Sequence, residues 1–274
     1  MRPWSEVLRV PVAGGVVWFK ACGPVMAFEP RLTAELSARW PGRVPEVLAV
    51  DEERGWLLLA DAGERLVTQG NPPEVWEAVL PGYAELQQGE VPHAGEHRAG
   101  GVPDLRLEVL PERFEQLVAH QLPLDPSELG TLRAFTPRLG ELCAELAAAG
   151  PSPSIQHDDL HHGNLYVDGD RFRVLDWGDA SVAHPFFSLV VVYRFLEEFN
   201  ELPVDDSWYA RLRDAYLEPW GRGWEETFVL AVRLGHFAHA VAWQRQRDHL
   251  PEEEHAGFDK WFSVVLRRAV ARCD

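Results

Sequence analysis

The sequence predicts an α+β protein in two parts, a small antiparallel sheet with one helix followed by a larger helical region. Three observations carry that expectation. Strand-like runs of β-branched and aromatic residues, separated by turn residues, fill roughly the first sixty positions and enclose a single helical stretch. After Asp61-Ala62-Gly63 the apolar spacing changes to that of amphipathic helices. The chain has 274 residues, 46% of them hydrophobic, enough to bury a substantial core in one large domain or two lobes.

In chain order, residues 7–12 and 16–21 read as strands, and Ala13-Gly14-Gly15 between them as a hairpin turn that places Lys20 on the second strand. Residues 29–40 carry Leu32 and Leu36 one helical turn apart and stop at Pro41-Gly42, a short amphipathic helix. Residues 44–50 and 56–60 are two further strands around the polar turn 51–55. Gly63 marks the expected boundary between an N-terminal lobe, 1–62, and a helical lobe, 63–274. Helices are expected over 74–88, 111–122 and 126–149, the last kinked or broken at Pro137. The Gly-, Pro- and His-rich stretch 89–103 lacks periodicity and reads as a surface loop. Helices follow over 185–199, 206–217, 225–247 and 252–272. There is no internal repeat.

Composition excludes several classes of function. A net charge of −17 lacks the basic face that phosphate backbones require, so no nucleic-acid partner is expected. The same charge fits a cationic substrate or simple solubility. The longest strongly apolar run, 186–196, contains Ser188 and Arg194 and falls short of the roughly 20 residues of a membrane span. Glu6 and Pro3 occupy the start where a secretory signal would be apolar, so a cytoplasmic protein without membrane partners is expected. Cys22, Cys143 and Cys273 are an odd number at wide spacing and support neither disulfides nor a Cys-rich zinc site. Lysine occurs only at positions 20 and 260. In a chain that otherwise uses arginine, Lys20 stands out as a compact ammonium of the kind phosphate sites employ.

Residues 155–178 concentrate polar side chains between apolar strands. Leu165-Tyr166-Val167 and Phe172-Arg173-Val174-Leu175 flank Asp168-Gly169-Asp170, a strong hairpin signal. The hairpin returns the chain to its start, so Asn164 before it and Asp176 after it come to one end, where a carboxamide oxygen and a carboxylate can share a hard cation. Asp159, one short loop earlier, faces the same point. Phosphoryl transfer uses this arrangement: the first Asp accepts the proton of the attacking hydroxyl, while the Asn and the second Asp hold magnesium.

Here the sequence resembles the aminoglycoside phosphotransferase and choline kinase branch of the protein kinase-like superfamily. That branch commonly reads His-Gly-Asp-Leu-His-Pro-Gly-Asn followed by Ile-Asp-Trp, and this chain has His157-Asp158-Asp159-Leu160-His161-His162-Gly163-Asn164 and Leu175-Asp176-Trp177. Trp18-Phe19-Lys20 is similar to the family's phosphate-contacting lysine strand, Glu29 or Glu35 falls where its helix glutamate belongs, and Val44-Pro45-Glu46-Val47-Leu48 matches the segment after that helix. The resemblance implies a two-lobed kinase-like fold and transfer of the γ-phosphate of ATP, or GTP, to a small-molecule alcohol with Mg²⁺. It assigns Asp159 as the catalytic base, Asn164 and Asp176 as metal ligands, and Lys20 with Glu29 as the nucleotide-binding pair. The acceptor would be gripped by segments around 208–224 and 236–247.

Four departures from the family pattern stand out. Asp158 replaces a glycine, His162 a proline, and Ser188 an aspartate whose loss would loosen the support of the catalytic loop. The chain also begins with Arg2-Pro3-Trp4-Ser5 already in the expected phosphate-covering loop, so the nucleotide is covered unusually or an upstream segment exists. Two other readings compete: a kinase-like protein that binds ligand without efficient transfer, and a hydrolase that uses a transition metal held by the histidines and aspartates of 157–162.

Overall fold

The computed structural model describes residues 4–169 and 171–274. Met1, Arg2 and Pro3, expected in the covering loop, and Asp170 of the expected hairpin turn lie outside the described residues. Strands β1 (Ser5–Val12), β2 (Gly15–Cys22), β3 (Val47–Asp51) and β4 (Trp56–Ala60) form an antiparallel sheet in the order β1-β2-β4-β3. The first turn is the pair Ala13-Gly14, with Gly14 at φ +91°, a value that suits a residue without a Cβ. Lys20 is opposite Val7 on β1 and Leu57 on β4, so it sits on an inner strand of the sheet. Helix α1 (Glu29–Arg39) packs beneath it through buried Leu32 and Leu36.

The second lobe follows a short strand β5 (Glu64–Arg65) and is built on α2 (Pro73–Glu90), α4 (Leu110–Ala119), α5 (Pro126–Ala149), α6 (Leu189–Phe199), α7 (Ser207–Leu217), α8 (Glu225–Arg247) and α9 (Glu252–Val270), with the short α3 (Ala94–Ala99) after α2. Its core is continuous, with fully buried Trp76, Phe114, Trp177, Phe186, Tyr216, Phe237 and Phe262. The two-lobed architecture expected from the sequence is therefore present. Among the described residues no helix is long and apolar enough to cross a membrane.

Two local readings are corrected: the surface loop over 89–103, and the break that is one of the alternatives at Pro137. The stretch 89–103 is not a surface loop: α2 continues through Glu90, a 3-10 turn covers 91–93, and α3 follows. The carboxylate of Glu90 is buried and takes hydrogen bonds from Arg39 at 2.7 and 2.8 Å, from the Trp40 indole at 2.6 Å and from His97 at 2.7 Å. Gly89 is what lets α2 approach α1 so closely, since a Cβ there would lie 2.2 Å from the Trp40 ring. Tertiary partners thus order a segment that is poor in helix formers. Helix α5 runs unbroken through Pro137, which is exposed. Its start is fixed by a capping box between Asp125 and Glu128.

Two small sheets carry the polar central segment. Strand β6 (Ser154–Gln156) pairs with β9 (Ser181–Ala183), and β7 (Leu165–Asp168) pairs with both β5 and β8 (Arg171–Val174). The expected hairpin is present, with Leu165 opposite Val174, and the Leu175 N–H donates to the Asn164 carbonyl at 2.9 Å. Below it, His184 is buried; its Nδ1 accepts the Phe186 N–H at 3.3 Å, which leaves the proton on Nε2.

Burial lowers the pKa of His184 from 6.5 to about 3. Above the unfolded value both states keep the ring neutral; below it the unfolded chain binds a proton that the native state refuses, so stability falls as pH falls, by about 1.4 kcal/mol per unit. His184→Asn keeps an acceptor for the Phe186 N–H. Denaturant unfolding at about pH 7.5 and about pH 5 should show the variant losing about 2 kcal/mol less than the parent over that interval. Equal losses in the two proteins would show that the ring is protonated in the native state.

Candidate active site

The ammonium of Lys20 is buried and meets two carboxylates, Glu29 at 2.6 and 2.7 Å and Asp176 Oδ1 at 2.5 Å. Burial alone would lower the lysine pKa, but Asp176 and Glu29 outweigh it and hold the group charged. Of the two glutamates that the sequence leaves open, Glu29 is the partner. Glu35, nearly two turns further along α1, pairs with Arg31 at 2.8 Å. Glu29 is 1% exposed, and its Oε2, which meets the ammonium at 2.6 Å, also accepts from the Cys22 thiol at 3.2 Å. Gly178 makes this contact possible: a Cβ there would stand 2.8 Å from Glu29 Oε2 and 2.5 Å from the Met26 sulfur.

Asp176 follows β8 in a left-handed conformation, φ +66°, an unusual state for a residue with a side chain. The turn is pinned on both sides. The Trp177 indole donates to the Val174 carbonyl at 3.0 Å, and His157 Nε2 donates to the Leu175 carbonyl at 2.8 Å. His157 is therefore a prop, its ring packed against Trp177 and kept neutral by burial.

Asp159 is oriented from two directions. Asn164 Nδ2 donates to its backbone oxygen and to Oδ2, both at 3.0 Å. His161 Nδ1 accepts the Gly163 N–H at 2.9 Å, so Nε2 carries the proton and donates toward Asp159 Oδ2 at 3.3 Å. The His161 ring in turn stacks on Phe195 with centroids 4.5 Å apart. Oδ1 of Asp159 receives no hydrogen bond among the described residues. Burial raises the pKa of this carboxyl, but the hydrogen bond from His161 and the nearby imidazoles bring it below its ordinary value, so the group is ionised at neutral pH.

Asp158 also takes a left-handed conformation, φ +62°, which accounts for the glycine expected at this position. Trp243 donates to His239 Nε2 at 3.1 Å, so His239 donates from Nδ1 to Asp158 at 3.1 Å and ties the loop to α8. The serine that replaces the family's aspartate does not leave the loop unsupported. Ser188 is buried and bonded to Tyr83 at 3.1 Å, Gln87 at 3.0 Å and Gln156 at 3.2 Å, and Gln156 accepts the Asp158 N–H at 3.0 Å. Sequence reasoning did not select Tyr83, Gln87 or Gln156; they lie on the apolar face of α2 and in β6, where only the tertiary arrangement distinguishes them from core residues.

Two clefts meet at this cluster. One, of about 560 Å³ between the sheet and the β7–β8 hairpin, is lined by Val7, Lys20, Leu57, Leu59 and Asn164. The other, of about 470 Å³, opens between the Asp158–Asp159 loop, α8 and α9 and is lined by Asp158, Asp159, His239, Trp243, Phe258 and Trp261. Asp176 lines both. The second cleft draws on the expected segment 236–247, but α9 and Trp4 complete it where 208–224 was expected. The donor set of the hydrolase reading does not assemble: among the described residues no group of three or more His, Cys, Asp or Glu side chains converges as a metal site, and His162 packs on Phe195 and Phe199.

Comparison with known proteins places this geometry. Residues 7–230 match the phosphotransferase enzyme family. A search of curated proteins finds no significant match. Among solved structures, the GDP and kanamycin complex of APH(2")-IIia superposes with a TM-score of 0.64 at 16% identity, covering 97% of this chain and 93% of that one. The amicoumacin kinase hAmiN, solved with AMP-PNP, Ca²⁺ and Ami, gives 0.61 at 13% identity, covering 98% and 87%. A choline/ethanolamine kinase family protein from Mesorhizobium loti gives 0.60 at 15%, covering 98% and 92%. At these identities the structures establish the fold, and the sequence match, which runs from β1 through the Asp159 loop and Asp176 into α8, shows that the chain belongs to the phosphotransferase enzyme family.

Proposed function

We propose that this protein transfers the γ-phosphate of ATP, or GTP, to a hydroxyl of a small molecule, with residues 1–62 as nucleotide lobe and 63–274 as acceptor lobe. The observation that carries the reading is the meeting of two clefts at Asp176, with Lys20 on one side and Asp159 on the other. Lys20 receives the phosphates and Glu29 holds its ammonium in place. Asp159 Oδ1 takes the acceptor's hydroxyl proton as that oxygen bonds to the γ-phosphorus and the bond to the β–γ bridging oxygen breaks, releasing the nucleoside diphosphate.

The residues present fit a magnesium ion. Asn164 spends its amide nitrogen on Asp159, which leaves its oxygen as the donor atom, and the Asp176 carboxylate is a hard ligand. Asn164 and Asp176 would hold the ion together with phosphate oxygens and water, and it would supply neutralisation of charge on the transferred phosphate. Among the described residues the acceptor cleft has aspartates, glutamates and aromatic rings in its lining and no lysine or arginine. That supports a cationic amino alcohol as acceptor, drawn by carboxylates and by ring faces such as Trp243 and Trp261. A cytoplasmic location, where nucleotide and magnesium are available, fits the reading.

Asp159→Asn should fold and bind nucleotide as the parent does while turnover on an identified acceptor falls by about 10²–10⁴-fold. Parental turnover in this variant would remove Asp159 from the role of base. Asp176→Ala should weaken Mg²⁺-dependent ATP binding more than Asn164→Ala does, because it deletes a charged ligand and not a neutral one. Titration calorimetry with and without magnesium measures both, and unaltered binding in Asp176→Ala would exclude the metal role.

A further inference from the structure

Helix α1 lies between β2 and β3 in the sequence, but its packing assigns it to the larger lobe. The continuous apolar core of that lobe takes in Phe28, at the N-cap of α1, together with Leu32 and Leu36. Among the described residues, none from β1–β4 belongs to that core. Both ends of the helix are also seated closely on the larger body. At its start, Gly178 admits the Glu29 carboxylate beside the turn after β8, whose Trp177 is part of the core. At its end, Gly89 admits the Trp40 ring, and the buried Glu90 carboxylate takes the Arg39 guanidinium in a two-point pair at 2.7 and 2.8 Å.

The sheet is held far more lightly. Lys20, Leu57 and Leu59 are the buried residues of its four strands, while Val7, Leu8, Val12, Leu48 and Trp56 are exposed. Among the described residues, the ion pairs that join the strands to the rest of the chain are the two made by Lys20, to Glu29 and to Asp176. The neutral contacts are longer: the Val47 N–H meets Ser37 Oγ at 3.3 Å, and the Cys22 thiol meets Glu29 at 3.2 Å. Trp4, just before β1, rests against Phe258 of α9 with ring centroids 6.4 Å apart. Elements with few buried apolar contacts lie at the low-stability end of a structure and open as units.

We propose that β1–β4 form a lid that opens as one unit over a fixed α1, and that Lys20 is its latch, docking between two carboxylates that stay on the larger body. Opening separates the walls of the cleft between the sheet and the β7–β8 hairpin: Val7, Leu57 and Leu59 move with Lys20, while Asn164 and Asp176 remain. Glu29 and the turn that carries Asp176 keep their mutual geometry with the lid raised or lowered. The moving part is the sheet and not the helix. The inference rests on packing and holds whichever chemical roles the cluster performs.

Hydrogen exchange of the full chain without ligand, read by mass spectrometry on peptides, tests it. Amides of β1–β4 should exchange at least about tenfold faster than those of residues 32–39, which should match α2 within about threefold. Lys20→Met should speed β1–β4 at least about tenfold further and leave 32–39 unchanged. Trp4→Ala, which removes the contact with Phe258 and leaves the latch, should speed the strands by at least about twofold with the same selectivity. Glu90→Gln should do the reverse, speeding 32–39 without affecting β1–β4. If 32–39 exchange in step with the strands in the parent, or are loosened with them by Trp4→Ala, the helix belongs to the lid and the proposal fails. Strands that exchange no faster in Lys20→Met than in the parent would remove Lys20 as the latch.

Discussion

The site depends on one buried ammonium. Lys20, on an inner strand of the sheet, is the point at which β2, α1 and the β8 turn meet, through Glu29 and Asp176. Removing a single charge from such a buried group leaves the others uncompensated, a loss of about 3–5 kcal/mol in comparable cases. Two carboxylates for one ammonium leave an excess of negative charge at this point. One of the two carboxylates, Asp176, lines both clefts, so the charge that Lys20 holds on one side is shared with the other. An arginine in place of Lys20 would be too broad to fit between Glu29 and Asp176 at these distances, which gives a physical reason for a lysine in a chain otherwise rich in arginine.

Around this charged centre the support is neutral. Tyr83, Gln87, Gln156 and Ser188 form a buried network beneath the Asp158–Asp159 loop, and Tyr216 adds a bond to Gln87 at 2.6 Å. Hydroxyls and amides both donate and accept, so they can satisfy one another without a net charge to desolvate. A carboxylate in place of Ser188 would need compensating donors or a raised pKa. The imidazoles follow the same logic: burial lowers His157, His162 and His184, the latter two to about 4 and about 3, so they act as uncharged struts at neutral pH.

How far the sequence discloses this depends on the range over which each feature is determined. The β1–β2 turn, the hairpin that brings Asn164 to Asp176, and the Asp159 loop are set within a few residues, where turn chemistry and spacing are sufficient. The choice between Glu29 and Glu35 needs the orientation of α1 under the sheet, which spacing along one helix does not contain. The ordering of 89–103 needs Arg39 and Trp40, roughly fifty positions earlier, to meet Glu90. The neutral network joins residues from α2, β6 and the start of α6, and glutamine or tyrosine on a buried helix face looks like any half-apolar core position until its partner is known.

Asp158 shows how a departure from a family pattern acquires a purpose. A left-handed φ at this point favours glycine, and aspartate tolerates it better than most residues because its short polar side chain bonds locally. Here the bond is long-range: His239 on α8 holds Oδ1, while Oδ2 is buried without a partner at the wall of the acceptor cleft. The backbone strain is thus retained together with a second acid beside Asp159, and the tryptophan that sets the tautomer of His239, Trp243, is itself part of that wall. One residue in the loop therefore couples the shape of the Asp158–Asp159 turn to the wall of the adjoining cleft, through a helix that lies more than eighty residues away along the chain.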